Sequence, residues 1–319
     1  MDPQLDDSLL LTPPRVVWQP RAKFQDRLWL HLLLLLLTIV TTTWSGAYWY
    51  LGFLTEFKTP DLHVSLASMI LHGFWYSGTI LAILGCHEMG HYLACRYYDV
   101  DASLPYFLPV PLPLTGTLGA FIRIREQIPQ KRMLFDIGIA GPIGGFLVAL
   151  PALFIGIAMS HITQLPTGPF EAIEFGEPLL FRLASWTFWG TTPAGYTLNM
   201  HPVAFAAWFG LLATALNLFP VGQLDGGHIS YAVLGRRSSH VTLLMLGLAV
   251  VLSVFASSLR VWTILMIAML ARFGRHHPPV FDEDVPLDRT RLFLALVAVV
   301  MFIVCATPDP IRLGAFLGR

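Results

Sequence analysis

The chain has 319 residues, of which 55% are hydrophobic and 13% charged, and its mean hydropathy is +0.63. Soluble domains carry about 25% charged residues, so composition excludes an ordinary soluble domain and predicts an all-α polytopic protein of the lipid bilayer. Lys plus Arg equals Asp plus Glu at 20 each, which leaves no electrostatic footprint for a nucleic-acid partner. The three cysteines, Cys86, Cys95 and Cys305, lie within or beside apolar segments, an odd set that argues against a disulfide framework.

Residues 1–27 mix prolines with charges of both signs and contain no apolar h-region, so they read as a cytosolic N-terminal tail. A span needs about 20 mostly apolar residues. Leu28–Tyr50 meets that requirement and ends in an aromatic belt of Trp44, Tyr48, Trp49 and Tyr50. With the loop to residue 65 it forms a first unit.

The second span, Leu66–Tyr98, carries His87-Glu88-Met89-Gly90-His91 in its last third. On a helix the two histidines are one turn apart and share a face, so both imidazoles can reach one metal, while Glu88 can address a water bound there. A carboxylate and two imidazoles are costly in an apolar span, and by default they mark function.

Next come two apolar stretches that cannot be ordinary helices. Leu104–Leu114 holds Pro105, Pro109, Pro111 and Pro113, which forbid a helix interior, and Gly116–Ile124 reads as a short strand. Two readings stand: an interfacial loop, or a re-entrant segment beside the HExxH whose strand edge can pair with an extended peptide. After a third span, Leu134–Ser160, residues 161–200 carry Glu171, Glu174 and Glu177 and then Trp186, Phe188 and Trp189. They read as an interfacial helix and loop.

The fourth span, Val203–Phe219, leads into Asn217-Leu218-Phe219-Pro220-Val221-Gly222-Gln223-Leu224-Asp225-Gly226-Gly227. Catalytic zinc usually takes three protein ligands, and Asp225 is the candidate third. The second and fourth spans run in the same direction, and Leu66 to His87 is nearly the same run of residues as Val203 to Asp225. Pro220 and the glycine pair are expected to break the helix around Asp225. His72 lies about 22 Å along a helix from His87 and His201 is similarly remote from Asp225, so both read as interfacial or core residues. His228 is a candidate for an outer shell, and Cys86 and Cys95 read as packing residues. Asn217 is compatible with a helix–helix hydrogen bond or with an amide aimed at a developing oxyanion.

The remaining candidate spans are Val241–Ser257, Val261–Phe273 and Leu292–Ala306, with a solvated linker over Gly274–Asp288 that includes Pro278 and Pro279. The count is six to seven transmembrane helices. With the N-terminus inside and seven spans, only five of the twenty basic residues (Lys58, Arg182, Arg260, Arg312 and Arg319) fall outside, in accord with the positive-inside rule.

Together these residues resemble the site-2 proteases, the intramembrane zinc metalloproteases of peptidase family M50. The resemblance rests on His87–His91, on Ala140-Gly141-Pro142-Ile143-Gly144-Gly145 and on the Asn217–Gly227 pattern, three motifs in order on three membrane helices. It covers roughly residues 66–235, the expected catalytic core, and leaves 236–319 as C-terminal transmembrane helices and tail. It is nearest to the plant-plastid and bacterial branch without a PDZ domain, and no CBS-like domain is appended. It implies one zinc ion held by His87, His91 and Asp225, with Glu88 as general base and acid. It further implies Asn217 on the scissile carbonyl or oxyanion, and cleavage within or next to the transmembrane segment of a membrane-protein substrate. The implied location is a bacterial inner membrane, with the N-terminus cytoplasmic and the site near the cytoplasmic face. The competing readings are a metal or ion transporter using the same cluster, a catalytically idle membrane binding protein, and a membrane zinc protease of lipidated C-termini. That last class calls for a glutamate as third ligand.

Overall fold

The computed structural model describes residues 22–57, 64–166, 169–255, 257–273 and 280–317. Arg15, Arg21, Lys58, Arg275, Arg319, Pro278 and Pro279, like most of the expected N-terminal tail, lie outside the described residues. Helices dominate: α1 (Leu28–Thr55), α2 (Leu66–Tyr97), α3 (Lys131–Ala158), α4 (Leu179–Trp189), α5 (Pro202–Asn217), α6 (Asp225–Leu234), α7 (Ser238–Phe255), α8 (Ser257–Phe273) and α9 (Arg289–Cys305). Six short strands accompany them, β1 (Tyr106–Pro109), β2 (Thr117–Phe121), β3 (His161–Gln164), β4 (Pro169–Phe175), β5 (Tyr196–Asn199) and β6 (Ile311–Leu317). They pair antiparallel as β1–β2, β3–β5 and β4–β6.

Among the described residues, four helical stretches are long and apolar enough to cross a bilayer: Leu28–Thr55, Leu66–Tyr97, Lys131–Ala158 and Asp225–Phe255. The last is not straight. Gly235 takes a left-handed φ of 57°, and Thr242 Oγ1 donates to the Pro220 carbonyl at 3.0 Å. A continuous helix would carry Thr242 about 25 Å beyond Asp225, so α7 must turn back along α6.

Each long helix shows two chemistries. On α1, Leu32, Leu36, Val40 and Trp44 are exposed, while Thr38, Thr42, Ser45 and Trp49 are buried against the rest of the fold. An apolar outer face with a small and polar inner face is the pattern of a lipid-facing helix, where packing and hydrogen bonds join helices because lipid supplies no hydrophobic drive between them. The interior core gathers Tyr76, Ile80 and Ile83 of α2, Leu153 and Ile157 of α3 and Trp208 and Leu211 of α5. Helix starts are set locally. The Ser65 hydroxyl accepts the Ser68 N–H at 3.2 Å, Asp288 accepts the Arg291 N–H at 3.1 Å, and Pro202 opens α5.

Polar contacts gather at the two ends of the bundle. At one end Arg125 pairs with Asp26 and with Asp101 (3.2 Å), Lys23 pairs with Asp99 (3.0 Å), and the Lys131 N–H donates to Asp282 (2.7 Å). Hydrogen bonding to Asp99 raises the Lys23 pKa above its ordinary value. At the other end His161 meets Glu56 at 2.7 Å, and β4 pairs with β6.

Two expectations need correction and one is sharpened. The fold is not purely helical, since residues 161–200 contribute β3, β4 and β5 as well as the expected helix α4. The proline-rich stretch from 104 is a β-hairpin whose turn lies beside Ser45, Trp49 and Tyr76, well inside α1 and α2. The hairpin agrees with the expected β-hairpin or re-entrant segment of this stretch, and the alternative of an interfacial loop is not favoured. Finally, Gly226 and Gly227 do not break a helix: they lie in the first turn of α6.

Candidate metal centre

Three elements bring the donors together. Helix α2 supplies His87 and His91 one turn apart. Helix α5 ends at Asn217, and the loop Leu218–Leu224 returns the chain so that α6 starts at Asp225. Gly226 and Gly227 matter because that loop lies directly on the first turn of α6. A Cβ on Gly226 would run into the Leu218 carbonyl, and one on Gly227 into that of Gly222.

The geometry is tight. His87 Nε2 and His91 Nε2 are 3.2 Å apart, and Asp225 Oδ2 lies 3.2 Å from the first and 3.3 Å from the second. Zinc bonds of about 2.0 Å in a tetrahedron place ligand atoms about 3.3 Å apart, so the three donors already occupy one face of such a tetrahedron. All three residues belong to one group able to hold a metal ion. Asp225 Oδ2 is buried with no hydrogen-bond donor in good geometry. Such an orphaned carboxylate oxygen beside two imidazole nitrogens is expensive without a cation. The donor set therefore fits zinc.

Around this face the remaining polar groups have defined partners. Glu88 is buried, with Oε1 3.9 Å from His87 Nε2, and its carboxylate lies beside the backbone of Ile122, just past the end of β2. Asn217 Nδ2 lies 3.1 Å from His87 Nε2, which places the amide at the end of α5 beside the three-donor face. His91 Nδ1 lies 2.7 Å from the Ile137 carbonyl of α3. If Nδ1 donates there, Nε2 is left as the free lone pair, the arrangement by which an outer partner fixes a ligand's tautomer.

The motif of α3 accounts for how close α2 can sit. Cβ atoms added at Gly141, Gly144 and Gly145 would meet the His91 ring, the Cys86 carbonyl and His87 Cβ, and one at Gly90 would meet the Ala140 carbonyl. The glycines are a seat for the HExxH helix. The sequence shows this motif without a role for it and gives no sign of the Ile137 carbonyl; the run of small residues on one face was the available signal for close helix approach.

The other residues singled out from the sequence lie elsewhere. His72 stacks on Tyr50 (4.2 Å), and His201 caps α5 and faces Trp75; both stand near the opposite end of the bundle, apart from the donors. His228 is one turn along α6 from Asp225, with its Cβ side against Gly138, outside the three-donor group. Cys95 and Cys305 are buried and Cys86 exposed, all as free thiols.

With the fold and this donor set in place, the class is defined: the chain belongs to peptidase family M50, whose sequence pattern matches residues 75–255. Among the described residues, the core between the motifs holds no PDZ-sized insertion. The chain is similar to the probable zinc metalloprotease EGY2, chloroplastic, of Oryza sativa subsp. indica. The two share 32% identity over 186 residues, which is 58% of this chain and 34% of that protein. It is also similar to the probable zinc metalloprotease EGY1, chloroplastic, of Arabidopsis thaliana, with 32% identity over 183 residues, 54% of this chain and 32% of that protein. The chain thus spans about a third of the length of these curated relatives. Because they are chloroplastic proteins of plants, they lend no support to a bacterial inner membrane; what the apolar helices support is membrane association.

Proposed function

We propose that the chain is a zinc-dependent intramembrane endopeptidase that cuts a peptide bond within or next to a transmembrane segment of a membrane-protein substrate. The observation that carries this reading is the triangle of His87, His91 and Asp225 nitrogens and oxygen, with edges of 3.2 to 3.3 Å, beside a buried Glu88. The similarity to probable zinc metalloproteases supports it.

Zinc, when bound, supplies Lewis-acid polarisation of a carbonyl and acidifies a bound water. The chain's own residues do the rest. Glu88 takes a proton from the attacking water onto a carboxylate oxygen and returns it to the leaving amide nitrogen. Asn217 directs its amide N–H at the scissile carbonyl, where negative charge develops. A peptide bond in an intact helix is shielded by its own hydrogen bonds, so the substrate must be extended locally. The outer edge of β2, which carries no strand partner among the described residues, is the place for it, and Ile122 at its end already contacts Glu88. Added as a further antiparallel strand, the substrate would lie across the metal-binding face.

The same proposal extends to orientation and topology. Residues 22–27, the flanks of the hairpin (98–104 and 123–131) and 280–291 meet at one end of the bundle, while Glu56, residues 161–199 and β6 meet at the other. This matches seven crossings with the N-terminus on the positive side, and His91 lies about 9 Å along α2 from its end on that side. On this reading the chain is an integral membrane protein with the site near the positive face of its membrane.

Terminal proteomics of membranes carrying wild type or Glu88→Gln tests the reading. Membrane-protein fragments present with wild type and missing with Glu88→Gln, at equal zinc content, support the protease. Identical fragments with altered metal flux would establish a transporter instead.

A further inference from the structure

We propose that Ser45, Trp49 and Tyr76 are positioning residues that hold the β1–β2 hairpin in register so that β2 presents its edge to Glu88. The inference rests on the protease reading above. Three consecutive carbonyls in the hairpin turn each receive a side-chain donor from a long helix. The Ser45 hydroxyl donates to Pro113 at 2.6 Å, the Trp49 indole N–H to Leu114 at 3.0 Å, and the Tyr76 hydroxyl to Thr115 at 3.0 Å. All three donors are buried. Next in the turn, Gly116 has a left-handed φ of 70°, and its α-carbon lies so near the α1 backbone at Thr41 and Thr42 that a Cβ would collide. The turn is thus held from both sides.

The hairpin needs this help. A two-stranded ribbon alone is marginally stable, and this one has few pairs, with a register shift between Phe107 and Pro109. Pro111, Leu112 and Pro113 stand exposed on the turn, so its inward-facing carbonyls take their donors from α1 and α2. The base is fastened separately, by Asp26 to Arg125 and by the Asp26 carboxylate accepting the Leu104 N–H at 3.0 Å. Between the two fastenings lies β2, whose Gly119 has open space in front of it and which is followed by Ile122, whose backbone lies beside Glu88. Sliding the turn by one residue along the helices would move every backbone donor of β2 relative to Glu88 and turn each side chain to the other face. Ser45 and Trp49 lie before residue 75, where the family match begins, so α1 carries this role from outside the matched core.

The test uses the full chain, zinc-loaded, in lipid nanodiscs, with Ser45→Ala, Trp49→Phe and Tyr76→Phe singly and combined. The probe is a single-pass peptide cut by wild type and spared by Glu88→Gln. Each lost hydrogen bond should raise KM about fivefold, while kcat and zinc content stay unchanged. Deuterium uptake should rise within residues 110–121 and not in α2 or α3. Unchanged KM, unchanged uptake, or a joint loss of zinc and kcat that marks a general scaffold role would each overturn the inference. If no peptide separates wild type from Glu88→Gln, the protease reading is what fails. Deuterium uptake then decides the fastening alone, supported by an increase confined to 110–121 and refuted by no change.

Discussion

Two seams of this molecule hold functional backbone in place by opposite means. Where α2 meets α3, side chains are absent: Gly90, Gly141, Gly144 and Gly145 let one helix sink into the other until His91 reaches a backbone carbonyl. Where α1 and α2 meet the hairpin, side chains do the holding, through Ser45, Trp49 and Tyr76. The first seam tolerates no added atom, because close-packed backbone has nowhere to move. The second tolerates loss of a hydroxyl with volume kept, since each hydrogen bond contributes only about 1 kcal/mol net. The metal face is therefore rigid, and the strand beside it is adjustable.

Substitutions can break that contrast in graded steps. The largest effect is expected from Gly141→Ala, whose Cβ falls on the His91 ring. Zinc affinity should drop by about 100-fold or more, at the upper end of what disturbing a ligand's support costs, as read by competition with a chelator. Gly145→Ala should do less, because its Cβ would meet His87 Cβ at 3.1 Å, a contact relieved by a small shift. Equal losses at both positions would show that the seam acts as a whole and not through the His91 ring.

A third seam sharpens the comparison. Arg291 at the start of α9 binds Asp136 of α3 through two nitrogens and also meets Tyr98, next to the helix turn that carries Ile137. Arg291→Met should lower stability by about 2 kcal/mol, the range for hydrogen bonds to charged groups, seen as a lower unfolding midpoint. Zinc affinity should fall far less than in Gly141→Ala.

The smallest effect belongs to Asp288, whose carboxyl is held below its usual range first by the Arg291 N–H and then by the Arg291 side chain. A depressed folded-state pKa means that this contribution is present above the ordinary carboxylate pKa of about 4 and fades as pH falls through the folded value. The difference in unfolding midpoint between wild type and Asp288→Asn should be small at pH 7 and vanish in acid. A difference that grows in acid would contradict the assignment.

How much of this was legible in the sequence depends on which chemistry a residue shows. His87, Glu88 and His91 were readable because two imidazoles at i, i+4 with a carboxylate between them cost too much in an apolar helix to serve packing alone. Asp225 was readable because two parallel spans of matched length arrive together. The seat beneath them was not, since a backbone carbonyl such as that of Ile137 has no residue-type signature and glycine records only an absence. Prolines from Pro105 to Pro113 ruled out a helix, but the depth of that stretch among the helices emerged only from which donors reach its carbonyls. The pairing of β4 with β6 joins a segment before α4 to one after α9, far apart in the chain, and no local pattern announces such a contact.

The central claim is that His87, His91 and Asp225 hold one zinc and Glu88 acts on what binds there. Metal analysis of the purified full chain tests it most directly, alongside cleavage by the same samples. One zinc per chain is predicted in wild type and in Glu88→Gln, with cleavage only in wild type, and near-zero zinc in Asp225→Ala. Full zinc retention by Asp225→Ala would contradict the account.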